Sequence, residues 1–162
     1  MSNTQQNNKI YAIYLGGSHN QTNIEVHDLV FTVGQDIESC YEFCVNNWFG
    51  TGRPHLDGYF EIETSQDSVD TENKEYSLFC LNFGGYLPNQ LAEIHEFILV
   101  LAKTKGEAIK QGKRNLQLKF HDLHMDECFE IDDIINISQK IDLKFASQKD
   151  MQFTLTNCYK KL

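Results

Sequence analysis

The chain repeats itself. Ile13-Tyr14-Leu15-Gly16-Gly17 aligns with Leu81-Asn82-Phe83-Gly84-Gly85 at an offset of 68, and Glu25-Val26-His27-Asp28 then falls on Glu93-Ile94-His95-Glu96 without a gap. The apolar run 29–33 falls on 97–101 at the same offset. With one residue more, His55-Leu56-Asp57-Gly58-Tyr59-Phe60-Glu61-Ile62 meets His124-Met125-Asp126-Glu127-Cys128-Phe129-Glu130-Ile131, five identities in eight. Each signature alone is common, but three in the same order with one residue of drift mark a tandem duplication. Whatever this chain folds into must be buildable twice from one unit. Each copy has only roughly 60 residues, a marginal size for an independent core. The copies, 9–63 and 75–137, are therefore expected to pack as a single α+β domain with approximate two-fold symmetry.

Within each copy the pattern reads strand-strand-helix-strand. Ile10 to Leu15 is β-branched and aromatic and stops at Gly16-Gly17, as a strand entering a turn would. Val26 to Val33 is nearly continuous in apolar character and reads as a central strand. Asp36 is placed to cap a helix running through Trp48, with Ile37, Tyr41, Cys44 and Trp48 as its core stripe. Gly50, Gly52 and Pro54 end it, and His55 to Ile62 alternates as a half-buried strand. The second copy predicts strands at 76–83, 94–102 and 125–131, with a helix over 105–116 capped by Thr104. Residues 63–74 read as an exposed connection. Residues 138–162 predict a C-terminal β-hairpin packed on the domain, from Ile141–Ala146 and Met151–Thr156, with its turn at Gln148-Lys149-Asp150.

A strand-helix-strand passage of this length predicts a parallel neighbour reached by a right-handed crossover. The starts of the second and third strands then lie at one end of the sheet, beside the glycine pair. Two clusters follow: Gly16, Gly17, Glu25, His27, His55 and Asp57 in the first copy, and Gly84, Gly85, Glu93, His95, His124 and Asp126 in the second. Residues two apart on a strand share a face, so each Glu-x-His and His-x-Asp pair can act together.

Three chemistries fit such clusters. Asp and Glu can orient the histidines as a structural hydrogen-bond network around the glycine turns. Two imidazoles and two carboxylates can bind a divalent metal such as zinc, manganese or iron, with His27, His55, His95 and His124 as the nitrogen ligands. That reading fails if His27 and His55 lie more than about 10 Å apart. Third, His and Asp can carry general acid–base chemistry while Gly-Gly amides hold an anionic group. These residues read first as a binding or interaction protein whose clusters are structural or hold a small anionic ligand. A metal-dependent or acid–base enzyme acting at one cluster is the alternative.

Composition restricts the partners. The formal net charge is −9, from 23 acidic and 14 basic side chains, and the one basic cluster (Lys103, Lys105, Lys110, Lys113, Arg114, Lys119) reads as the solvated face of a helix. Nucleic acid is not an expected partner. No apolar stretch approaches the roughly 18 residues of a membrane span, and Met1 to Asn8 lacks the charged start and apolar middle of a signal peptide. Five cysteines form no even framework, which points to a reducing cytoplasm; Cys40 and Cys44 read as small core residues of one helix face. A monomer and a symmetric homodimer fit equally, with a small ligand or a protein as partner.

At these residues the chain resembles the bacterial domain-of-unknown-function family 1543. Tyr14-Leu15-Gly16-Gly17, Glu25-x-His27-Asp28 and His55-Leu56-Asp57 after a Trp-containing segment carry the likeness in the first copy. Asn82-Phe83-Gly84-Gly85-Tyr86, Glu93-Ile94-His95-Glu96, and His124-x-Asp126 running into Phe129-Glu130-Ile131-Asp132-Asp133 carry it in the second. The resemblance spans most of residues 10–137 and implies a soluble bacterial protein with one or two copies of the unit. It implies no activity. Phe49 stands where a second tryptophan-like position follows Trp48, a departure that concerns packing.

Overall fold

Alternating apolar residues form the strands, but their order differs from the expected one. The computed structural model describes residues 8–63, 75–87, 89–119, 129–146 and 151–162. In chain order it contains β1 (Lys9–Ser18), β2 (Val26–Gly34), a 3-10 turn (Glu38–Cys40), α1 (Tyr41–Asn47), β3 (Thr51–Glu63), β4 (Ser77–Gly85), β5 (Ile94–Ala102), α2 (Lys105–Lys119), β6 (Phe129–Asn136), α3 (Ile137–Ile141) and β7 (Gln152–Lys161). The class is α+β, with two antiparallel sheets and few helices. The chain divides into two compact units, Met1–Gln66 with Asp150–Leu162, and Asp67–Lys149.

In the first unit the sheet runs β2-β1-β3-β7, every pair antiparallel. β1, not β2, is central. Tyr11, Ala12, Ile13 and Leu15 are fully buried, whereas β2 lies at the edge and is mostly half-exposed. A continuous apolar run was the cue for β2, but position in the sheet follows from pairing partners, and β1 has two. β2 and β3 are parallel to one another, as expected, yet β1 separates them, so the crossover does not return to a hydrogen-bonded neighbour. Tyr11, Ile13 and Leu15 pack with Leu56 against Ile37, Cys40 and Cys44. Each of the isoleucines and leucines among them contributes about 1.5–3 kcal/mol on full burial. The helical segment is shorter than expected, and Asp36 stands before the 3-10 turn, where its Oδ1 accepts from Ser39 N–H at 2.8 Å, while α1 itself starts without a side-chain cap.

The second unit has the order β5-β4-β6, again antiparallel with the first strand in the centre. Its β4–β5 ladder, Ser77↔Ala102 through Gly85↔Ile94, reproduces the β1–β2 ladder, Lys9↔Gly34 through Gly17↔Val26, at the offset of 68 read from the sequence. Helix α2 lays Ala108, Gly112 and Leu116 on this sheet. A Cβ on Gly112 would stand 2.8 Å from Leu81 Cδ2, so the bare glycine is what lets the helix approach. Thr104 caps it as expected, its Oγ1 accepting from Glu107 N–H at 3.2 Å. Lys105, Lys110, Lys113, Arg114 and Lys119 are all exposed, as a solvated helix face requires.

Among the described residues, 141–146 and 151–156 do not pair with one another as the expected C-terminal hairpin. Ile137–Ile141 is helical, capped by Asn136 through a bond from Gln139 N–H at 3.1 Å, and Asp142 turns out of it at φ 53°. Phe145 makes only an isolated bridge to Tyr76, while β7 pairs along β3. The segment 151–161 therefore finds its strand partner in the first unit rather than in 141–146. The expected turn at 148–150 lies outside the described residues.

Candidate metal centre

The glycines sit within strands, not in turns. β1 continues through Gly16-Gly17 to Ser18, and β4 includes Gly84-Gly85. Their backbone groups belong to sheet ladders, which overturns the expected turn with amides turned toward an anion. What the glycines provide is a missing side chain. Gly16 pairs with His27 on one side and His55 on the other. A Cβ at Gly16 would stand 2.5 Å from His55 Nε2, 2.7 Å from Asp57 Oδ2 and 2.9 Å from His27 Cδ2. The bare strand is the floor on which these side chains meet.

All four polar residues expected in the first cluster converge there. His27 Nε2 lies 3.4 Å from Glu25 Oε1 and 3.4 Å from Asp57 Oδ2. His55 Nε2 lies 3.5 Å from Glu25 Oε2 and 3.3 Å from Asp57 Oδ1. Each imidazole thus faces both carboxylates, and each carboxylate spans both imidazoles. Every one of these distances exceeds the usual 2.7–3.2 Å of an N–H···O bond. The donor atoms of Glu25, His27 and His55 lie within 4.8 Å of one another, well inside the 10 Å limit for a shared ion.

Local structure fixes each member. A β-bulge in β3 between Leu56 and Gly58 leaves Asp57 unpaired and turns it toward the glycine floor. Tyr14 stacks on His27 with ring centroids 5.1 Å apart and planes 3° from parallel. Tyr159 of β7 lies 4.8 Å from the His55 ring. Burial and the neighbouring Asp57 and Glu25 charges push the Tyr14 hydroxyl above its ordinary pKa, so it stays protonated beside the cluster. His55 is the most enclosed member and Glu25 the most open, with side chains 13% and 52% exposed.

The second unit builds a related but poorer cluster. Gly84 is again the floor: a Cβ there would stand 2.1 Å from Asp132 Oδ2 and 2.6 Å from Glu93 Oε1. His95 Nε2 lies 3.8 Å from Glu93 Oε2, and its Nδ1 lies 3.5 Å from Asp132 Oδ2 and 3.1 Å from Asn82 Oδ1. Glu93, His95 and Asp132 again bring donor atoms within 4.8 Å of one another. His124 and Asp126 lie outside the described residues.

Asp132 stands outside the set expected for the second cluster. The octet match set 124–131 on 55–62, yet the ladder pairs Gly84 with Glu130 where it pairs Gly16 with His55. A bulge between Asn82 and Phe83 then places Asp132 as the bulge in β1–β3 pairing places Asp57. The register of the third strand is displaced by six residues from the sequence match. Helix α2 has 15 residues against 7 in α1, so its following strand begins later. The run Ile131-Asp132-Asp133-Ile134-Ile135 was the available signal, an acid pair inside a β-branched segment.

Elsewhere, one concavity is lined by Ser77, Asn136 and Ser138 and another by Tyr41, Arg53 and Lys160; neither includes a cluster residue. No helix among the described residues is long and apolar enough to cross a membrane. Cys40, Cys44 and Cys80 are buried free thiols.

A three-strand antiparallel core with a glycine floor and a Glu-x-His edge strand, present twice, defines the class. The chain belongs to the Domain of Unknown Function (DUF1543) family, whose model matches residues 22–71 and 90–141. The two matches begin 68 residues apart and contain Glu25, His27, His55 and Asp57, and Glu93, His95 and Asp132. The chain is also similar to the crystal structure of a protein Il1583 from Idiomarina loihiensis, at 22% identity and a TM-score of 0.57, over 96% of this chain and 99% of that one. That likeness is one of fold. A search of curated proteins gives no match.

Proposed function

We propose that this protein binds a divalent transition-metal ion through Glu25, His27, His55 and Asp57. One observation carries the reading: the donor atoms of Glu25, His27 and His55 lie within 4.8 Å of one another, and each imidazole stands 3.3–3.5 Å from Glu25 and from Asp57. Donors about 2.0–2.1 Å from a zinc-like ion stand about 3.3–3.4 Å apart, the order of spacing each ring keeps from one oxygen of each carboxylate. A structural network would instead draw these groups to hydrogen-bond length, because a polar group held back from its partner costs stability. Charge supports a cation as well. Two carboxylates balance two imidazoles only when both rings are protonated, and otherwise leave the cluster negative, which opposes an anionic ligand. With Glu25 half-exposed, the cluster is reachable by an ion entering from solvent.

Bound metal supplies Lewis acidity or a fixed charge at this place; the chain supplies the ligands and their orientation. Tyr14 and Tyr159 hold the two rings, and Asp57 is held by its bulge. The test is thermal unfolding with and without added zinc. Wild-type protein should be stabilised by about 2.7 kcal/mol when free ion is one hundred times Kd. His27→Ala/His55→Ala should lose the first-unit share of that gain while melting close to wild type in chelator. An unshifted wild-type melt with zinc, manganese and iron would refute the proposal.

A further inference from the structure

The position opposite the first glycine of each central strand differs between the units, and that difference has a chemical consequence. We infer that this position, His55 in the first unit and Glu130 in the second, selects which class of divalent ion each unit takes. The inference rests on the metal reading above and goes beyond it. Three of four cluster positions carry the same chemistry in both units: Glu25 and Glu93, His27 and His95, Asp57 and Asp132. The fourth does not. His55 pairs with Gly16, while Glu130 pairs with Gly84 and is exposed.

Strand alternation gives the fourth residue the same face as its neighbour two along. Residues i and i+2 of a strand share a face, so Glu130 accompanies Asp132 as His55 accompanies Asp57. The first unit then offers two imidazole nitrogens and two carboxylates. Among the described residues, the second offers one imidazole, that of His95, with the carboxylates of Glu93 and Asp132. Imidazole suits zinc, copper and nickel, whereas oxygen donors suit manganese, magnesium and calcium. The additional negative charge also favours a hard cation held electrostatically. The spacing agrees: the 3.8 Å between His95 Nε2 and Glu93 is wider than any imidazole–carboxylate contact of the first cluster. At any N/O site zinc binds more tightly than manganese, so the quantity that must differ is the ratio of the two affinities.

The full chain tests this with one unit silenced at a time. His95→Ala leaves the first cluster and His27→Ala leaves the second; zinc and manganese affinities are measured on each by competition calorimetry. The zinc-to-manganese ratio should be larger for the first cluster, by about tenfold or more. Adding His55→Glu to the His95→Ala protein should lower the ratio, and adding Glu130→His to the His27→Ala protein should raise it. Should His55→Glu lose its cooperative melt, Glu130→His at its exposed position carries the test alone. Ratios that do not move while both ions still bind would overturn the inference and leave the metal reading standing. A second cluster that binds neither ion would overturn it in the same way. Failure of the His95→Ala protein to bind either ion would instead refute the metal reading, and this inference with it.

Discussion

The two units share one ladder and differ in what they gather above it. In both, a central strand carries a glycine whose missing side chain makes room for cluster side chains: His55, Asp57 and His27 over Gly16, and Asp132 and Glu93 over Gly84. In the first unit two histidines face two carboxylates at nearly equal distances. In the second, one histidine faces two carboxylates at 3.5–3.8 Å and turns its Nδ1 toward Asn82. Position 82 corresponds to Tyr14, which holds His27 by stacking instead. The sheet therefore fixes where a cluster can be, while the third strand and one neighbour of the histidine decide its composition. A duplicated scaffold can keep its floor and change its donors.

The largest expected effect breaks the comparison at its common element. Gly16→Ala drives a Cβ into three side chains of the first cluster, and Gly84→Ala into two of the second. Each should abolish metal binding in its own unit alone, a loss beyond the roughly 10–100-fold typical of changes to groups that only orient the ligands; calorimetry on the two variants checks it. Next is a change confined to the second unit. Gly112→Leu overpacks α2 against Leu81 and should cost about 1–3 kcal/mol in chemical denaturation. Gly52, at φ +71° in the first unit with open space around it, should show a cost that is conformational rather than steric.

A smaller effect distinguishes the first unit by pH. The Lys9 ammonium, and then the Tyr11 hydroxyl, hold the Glu61 carboxyl below its usual range, through bonds of 2.7 and 2.9 Å. A depressed carboxyl contributes stability that is present above its unfolded pKa of about 4.3 and lost as pH falls through the folded value. Glu61→Gln should therefore flatten the acid limb of the stability–pH curve while leaving neutral stability slightly lower. The smallest effect concerns reactivity. Burial pushes the Cys44 and Cys80 thiols up to about 12, so an alkylating reagent should reach half-exposed Cys158 before Cys40, Cys44 or Cys80, as peptide mapping would show.

The offset of 68 that aligns Gly16 with Gly84 in the sequence is also the offset of the ladders, although Gly17, expected in the first cluster, lies against Trp48 instead. Glu25, His27, His55 and Asp57 were legible because period-2 spacing and antiparallel return suffice to bring them to one glycine. Sheet order was not. β2 and β1 are similarly apolar, and only pairing on both sides makes β1 central. The role of the glycines was misread for a related reason: Gly-Gly marks turns in most sequences, but here it clears space on a strand. Asp132 escaped because five identities at 124–131 outweighed the acid pair, and identity does not report register when the preceding helices differ in length. β7 could not be placed from its own residues, since its partner β3 lies about ninety residues earlier in the chain.

The central claim is that the first cluster holds one metal ion. Its most direct test is elemental mass spectrometry of tag-free protein purified without chelator and then equilibrated with zinc and desalted, beside the His27→Ala/His55→Ala variant treated identically. The account predicts bound metal in the wild type that falls by close to one equivalent in the double variant, with the second cluster's share unchanged. Equal metal content in both proteins, or none in the wild type, would contradict it.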